Sequence, residues 1–270
     1  MNKILHIFLI SLFSLTVISC AEKEESTDST ATTTSSGLYV AVGYTGTILT
    51  STDGTTWTSR TSGTSNYLAG VTYGNSTFVT VGDNGTILTS TDATTWTSRT
   101  SGISKWIDAP IYKNSTFMTI GQDGVILTST DGTTWTSRTS GTSNDFYDVT
   151  YGNSTFVAVG DSGQIFTSSD GTSWDNRTSG TTNDLTGVDY GNSTFVAVGM
   201  NGTILSSADG ITWTSRTSGT TVGFTGFDYG NSIFVAVGFS GLISTSTDGI
   251  TWTARTSGTS IQLTGVDYKE

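Results

Sequence analysis

The sequence predicts an all-β fold, a six-bladed β-propeller of 39-residue, four-stranded blades. Three observations carry this. Six tryptophans, Trp57, Trp96, Trp135, Trp174, Trp213 and Trp252, recur every 39 residues, and the copies align without a gap from Gly37 to Glu270. Each copy divides into four short strand candidates separated by Gly, Asn and Asp turns; in the fourth copy these are 155–159, 164–168, 173–178 and 185–190. Four strands in about 40 residues is the size of a propeller blade. The composition agrees: the 270 residues contain 33 Gly but 1 Pro, 12% charged residues and 11% aromatics, with Thr and Val in abundance. That is material for sheets with a buried core, and neither a helical bundle nor a disordered chain.

The amino end comes first. Lys3 precedes a run of apolar residues from Ile4 to Ser19, shorter than a membrane span and right for a signal segment. It closes on Val17-Ile18-Ser19-Cys20, which resembles the lipobox of bacterial lipoproteins, and Cys20 is the only cysteine. That resemblance implies cleavage before Cys20 and acylation of Cys20, by palmitate among other chains. Two or more acyl chains anchor stably where one does not. Residues 1–19 are thus expected to be a signal peptide. Residues 20–36, polar and rich in Ser and Thr, are expected to be a lipidated, disordered tether, and 37–270 the propeller.

The phase of the repeat predicts how the ring closes. The first copy starts inside a blade, at Gly37-Leu38-Tyr39-Val40, and the chain finishes on an extra innermost strand, Leu263–Tyr268. Pairing that strand with 38–42 removes two edges at once and gives six blades. The inner strand of the third copy departs furthest from the others. It carries Pro110, which cannot donate to a ladder, so this blade is expected to be the weakest.

Each copy also repeats a turn, from Ser51-Thr52-Asp53-Gly54-Thr55-Thr56-Trp57 to its sixth version at 246–252. The pairs Asp53/Trp57, Asp92/Trp96, Asp131/Trp135, Asp170/Trp174, Asp209/Trp213 and Asp248/Trp252 resemble the Asp-box of bacterial neuraminidase (BNR) repeats. They also resemble the repeats of sialidase-type and photosystem II assembly/stability-factor propellers. The resemblance implies a structural turn between the third and fourth strands of a blade, its Asp bonding turn amides and its Trp packing in the blade. The Trp follows the Asp by four residues, one fewer than in those families, so a shorter hairpin is expected.

The six arginines, Arg60, Arg99, Arg138, Arg177, Arg216 and Arg255, share one repeat position, and they are expected to pair with blade carboxylates or turns. Catalysis fails by inventory. After cleavage at Cys20 the chain has no His and no free thiol, and its glutamates are Glu22, Glu24, Glu25 and Glu270. A Ser-His triad, a Cys nucleophile and a Cys/His zinc site need residues it lacks, and so does a sialidase, with its unequal arginines and Tyr–Glu pair. A two-aspartate glycoside hydrolase, for instance Asp145 with Asp184, is the remaining enzymatic reading. No cofactor, no metal and no catalytic residue is expected. The net charge of −11 is wrong for nucleic acid.

Positions that differ among the copies fall in two places, the turn between second and third strands and the crossing between blades. In a four-stranded blade both emerge on one face of the disc, opposite the Asp-boxes. Blades two to four offer Asp83, Asp123, Asp145, Asp161 and Asp184 there, beside Trp106; the rest of the arc offers Tyr44, Tyr67, Met200 and Phe239. Mixed apolar and acidic groups suit a protein partner. The expected function is a non-catalytic, membrane-anchored scaffold that binds a partner protein of the cell envelope. The alternative is a carbohydrate-binding propeller stacking sugars on Tyr44, Tyr67 and Trp106. A monomer is expected, tethered at the outer membrane or cell surface.

Overall fold

The computed structural model describes residues Gly37–Tyr268, so the signal peptide and tether expected at 1–36 lie outside the described residues. Blade 1 contains β1 (Tyr39–Val42), β2 (Ile48–Ser51) and β3 (Thr58–Arg60). Blade 2 contains β4 (Leu68–Gly74), β5 (Thr77–Gly82), β6 (Ile87–Ser90) and β7 (Thr97–Arg99). Blade 3 contains β8 (Ile107–Lys113), β9 (Thr116–Gly121), β10 (Ile126–Ser129) and β11 (Thr136–Arg138). Blade 4 contains β12 (Phe146–Gly152), β13 (Thr155–Gly160), β14 (Ile165–Ser168) and β15 (Asp175–Arg177). Blade 5 contains β16 (Leu185–Gly191), β17 (Thr194–Gly199), β18 (Ile204–Ser207) and β19 (Thr214–Ser215). Blade 6 contains β20 (Phe224–Gly230), β21 (Ile233–Gly238), β22 (Ile243–Ser246) and β23 (Thr253–Arg255). All ladders are antiparallel between consecutive strands, in one three-stranded and five four-stranded sheets. The fold is the six-bladed propeller that the repeat predicts.

The core lies between blades, not within them. Each sheet turns alternate side chains to its two neighbours, so every interface collects one set from each side. Between blades 4 and 5, Val157, Val159 and Ile165 meet Leu185, Val188, Phe195, Ala197 and Leu205. Equivalent clusters join blades 1 and 2, 2 and 3, 3 and 4, and 5 and 6. The glycine that ends an inner strand is part of this packing: a Cβ on Gly152 would lie 2.0 Å from the Tyr190 ring of the next blade.

Among the described residues, no ladder joins the C-terminal segment to β1. Residues Leu263–Tyr268 lie in no strand, and β1 pairs with β2 only. The segment runs along blade 6 instead: Leu263 N–H donates to Gly238 O (3.0 Å) and Tyr268 N–H to Asp228 Oδ2 (2.8 Å). The corresponding contact in blade 2, Leu68 N–H to Gly43 O (3.1 Å), shows that these are the contacts a following inner strand makes with the blade before it.

Every inner strand is bulged near its start. In β4, β12, β16 and β20 one residue drops out of the ladder; in β8 the register shifts between Asp108 and Ile111, so Ala109 and Pro110 both drop out, with Ala109 at φ 46°. The proline sits where the bulge already leaves the ladder, which is how the strand accommodates it.

Candidate binding face

The six turns between second and third strands share one geometry. In Tyr44–Gly46, Asp83–Gly85, Gln122–Gly124, Asp161–Gly163, Met200–Gly202 and Phe239–Gly241 the central residue takes a left-handed backbone, φ 53° to 57°, and Gly follows. The Gly is obligatory: a Cβ on Gly46 would stand 2.0 Å from Thr64 O of the adjoining crossing. Each turn thus packs against a crossing, as Asp83 N–H on Tyr67 O (3.0 Å) shows. On the opposite side, Asn75 reaches Thr130 O in the box turn of blade 3 (3.5 Å). The two groups of connections occupy opposite faces, as the sequence pattern requires.

The structure gathers the varied residues into three neighbourhoods. Tyr44 and Tyr67 pack ring to ring at 4.6 Å, with Tyr44 56% exposed. Burial and the nearby Asp108 hold the Tyr67 hydroxyl well above its ordinary pKa, and burial raises Asp83 beside it. In blades 3 to 5, Lys105 pairs with Asp123, and Asp145 Oδ1 accepts the Asp123 N–H (2.8 Å). Tyr147 donates to Asp161, and Asp184 Oδ1 accepts the Ser162 N–H (2.8 Å). The third neighbourhood joins Met200 and Phe239, both close to Gly223. Trp106 is half-buried and forms no ring pair with Tyr44 or Tyr67 among the described residues. Asp145 and Asp184 cap different turns, and both carboxylates act on the Tyr147 hydroxyl beside Asp161.

The box turns are built locally. Asp53 Oδ1 accepts the N–H of Thr55 (2.8 Å) and Thr56 (2.7 Å) and the Ser51 hydroxyl (2.9 Å), while Trp57 Nε1 donates to Gly54 O (3.2 Å). The same backbone N–H donors, from Thr95 and Thr94, bring Asp92 down to about 2. The arginines correct their expectation: each Nε donates to a hydroxyl on the third strand, Thr50, Thr89, Thr128, Thr167, Ser206 or Thr245, at 2.7 to 2.9 Å. Among the described residues, Arg177 alone adds a carboxylate, Asp175 at 2.9 Å.

A second group of carboxylates, missed by comparing copies, lies on the inner strands. Asp148 Oδ2 accepts the N–H of Val188, Asp189 Oδ2 that of Tyr229 and Asp228 Oδ2 that of Tyr268, each in the next unit along the chain. Burial, with Asp189 and Asp108 nearby, pushes Asp148 up to about 8 against the pull of the Val188 and Val149 amides. Burial also pushes Asp108 and Asp228 up to about 6 and raises Asp189 and Asp267. The signal for them was an acidic residue inside an otherwise apolar strand.

This geometry defines a repeat-built propeller with one regular face and one varied face. No protein-family model matches the chain, and no curated protein sequence does. Among solved structures it is similar to YCF48 bound to D1 peptide, at 20% identity over 80% of this chain and 76% of that one, TM-score 0.65. It is similar also to YCF48 from Cyanidioschyzon merolae (15% identity, 83% and 82% covered, TM-score 0.64). The computationally designed Ika8 protein matches at 12% identity, with 93% and 90% covered and TM-score 0.64. These likenesses carry the propeller fold.

Proposed function

We propose that this protein is a non-catalytic binding scaffold, held to a bacterial membrane through acylated Cys20, whose varied face docks a partner protein. One observation carries the reading. Exposed Tyr44, Phe239 and Ile261 stand on the same face as the carboxylate-lined turns of blades 3 to 5, so an apolar arc and an acidic arc share one surface. Such a surface suits a partner with apolar anchors and basic groups at its rim. The similar YCF48 structure with a D1 peptide supports the reading, since a propeller of this shape there takes up a peptide. The anchor is placed at the outer membrane or cell surface, because Ala21 follows Cys20 rather than Asp.

The carbohydrate alternative rests on the Tyr44–Tyr67 pair, which presents one exposed ring. In-cell cross-linking of the full-length, lipidated chain tests both readings. A specific protein adduct, lost when Tyr44, Met200 and Phe239 are changed to Ser, is the expected result. Adducts indifferent to those changes overturn the docking face, and binding on a glycan array that Tyr44→Ser abolishes transfers the reading to sugars. Retention of the chain in the membrane fraction after Cys20→Ser overturns the anchor.

A further inference from the structure

The box face repeats its turns but not its polarity. Inner strands line the axis of a propeller, and the box turns, between third and fourth strands, lie towards its rim. Two residues after the box aspartate, blades 1 to 4 place Thr55, Thr94, Thr133 and Thr172, whereas blades 5 and 6 place Ile211 and Ile250. These isoleucines are 50% and 48% exposed. The residue before the aspartate is exposed Ala208 in blade 5 and Ser or Thr in every other blade. The position that opens the second strand, a Thr in blades 2 to 5, becomes half-buried Ile233 in blade 6 and half-buried Leu38 in blade 1. Each change replaces a hydroxyl by an aliphatic group, and all fall in blades 5, 6 and 1. Blades 2 to 4 keep the hydroxyl at each of these positions. Drift at solvated turns would scatter such changes around the ring.

The chain enters the propeller within this arc. Tyr39, the first residue of β1, pairs with Ser51, where the box of blade 1 begins, and its ring lies 6.5 Å from that of Trp57. Gly37 and Leu38 therefore stand on the box face, and residues 21–36 separate them from Cys20. Fully extended, that stretch spans at most about 60 Å, so a bilayer holding Cys20 is within reach of this face. A contact made by an already tethered body is effectively intramolecular, and a few aliphatic side chains then suffice where they could not recruit a free protein. Their chemistry fits lipid. They stand beside the half-buried indoles of Trp213 and Trp252, amphipathic rings of the kind that favour a membrane interface. The opposite face, with its exposed aromatic groups and carboxylates, offers what a protein partner takes.

We propose that the box side of blades 5, 6 and 1 rests on the bilayer that holds Cys20, so that the varied face is turned away from the membrane. This orientation rests on the anchor proposed for Cys20 and adds to it a second, non-covalent contact. It also leaves the docking face open to a partner while the chain stays tethered.

Site-directed fluorescence of the full-length, lipidated chain in phosphatidylcholine vesicles tests it. With Cys20 acylated, a single cysteine introduced as Thr212→Cys on the box face, or as Thr221→Cys on the varied side of the same arc, takes one label; both positions are exposed. Quenching by a lipid-borne nitroxide is expected to be several-fold stronger at 212 than at 221. Ile211→Ser with Ile250→Ser, both at exposed positions, should abolish that difference while the chain still floats with the vesicles. Equal quenching at the two sites, stronger quenching at 221, or a difference indifferent to the serine changes overturns the orientation. A label at 212 that reports a second copy of the chain and not lipid overturns it too, in favour of self-association. Flotation reports the anchor separately: a chain that floats but shows no difference keeps its anchor and loses the orientation, and a chain that does not float loses both.

Discussion

The junction between blades 5 and 6 and the seam between blades 6 and 1 are built from the same repeat positions, yet they differ in closure. Val196, Val198 and Ile204 of blade 5 are fully buried against Phe224, Phe234 and Ala236 of blade 6. Of their counterparts one repeat on, Val237 stays buried but Val235 and Ile243 are only partly buried, as is Leu49 of blade 1, and no apolar cluster among the described residues spans the seam. The box glycines report the same difference: Gly249 lies against Val196 of the preceding blade, whereas Gly54 has only Tyr39 of its own blade nearby. A repeat position thus sets what a side chain offers, and the neighbouring blade sets what that is worth.

The sharpest way to break this comparison is to truncate the same residue on both sides. Ile204→Ala is expected to cost about 2–5 kcal/mol, the range for a buried Ile. Ile243→Ala is expected to cost about 1 kcal/mol, because part of the side chain is already wet. Equal costs in urea unfolding would mean that the seam is closed in solution.

pH gives the next effect. A channel carboxyl whose pKa rises on folding keeps its proton where the unfolded chain has lost it. Its stabilisation is full below about pH 4 and is lost as pH rises towards the folded value, about 8 for Asp148. The box aspartates have the opposite sign: the stability that Asp92 and Asp248 contribute is present above about pH 4 and lost as pH falls through about 2. Stability is therefore expected to peak near pH 4–5 and to fall between pH 5 and 8. Asp148→Asn should remove much of that fall in denaturant titrations, and a curve rising from pH 5 to 8 would contradict the assignment.

Within the closed junction, Ser244 is buried without a hydrogen-bond partner among the described residues where the other blades place Leu or Phe, and Phe227 stands where they place Val or, in blade 3, Pro110. The larger ring, stacked on Phe234 at 6.0 Å and 6.3 Å from Trp252, takes up the room the serine leaves. Ser244→Leu alone is expected to destabilise by about 1–2 kcal/mol through overpacking. Adding Phe227→Val should recover most of that loss, a coupling that a double-mutant cycle measures. Additive effects would show that the two positions do not share space.

The smallest contrast is one expected to vanish. Asp170→Ala in blade 4 and Asp53→Ala beside the seam remove the same local bonds, so each should lower Tm by about 2–4 °C. A much smaller loss at Asp53 would show that the box depends on the adjoining blade.

Much of this was legible because repetition makes turn chemistry visible. Ser, Asp, Gly and Trp at fixed offsets announce the box, and the structure closes those offsets with hydrogen bonds that span two or three residues. The two faces were legible too, since antiparallel strands put alternate connections on opposite sides. The roles of Asp145 and Asp184 were not. Each caps the turn of the preceding blade from 22 residues away, which no spacing within a copy reveals. The arginine partners were missed for a similar reason: a hydroxyl opposite on the sheet takes Nε, and only the register shows it.

The sequence by itself determined the number of blades, their strands, the box turns and the division into a regular and a varied face, because these depend on local patterns read within one copy. Only the tertiary structure decided which interfaces close, where Leu263–Tyr268 lies and which aspartates turn to the axis. Those outcomes depend on how one blade meets the next, and burial, not residue identity, fixes what a carboxylate or an isoleucine contributes there.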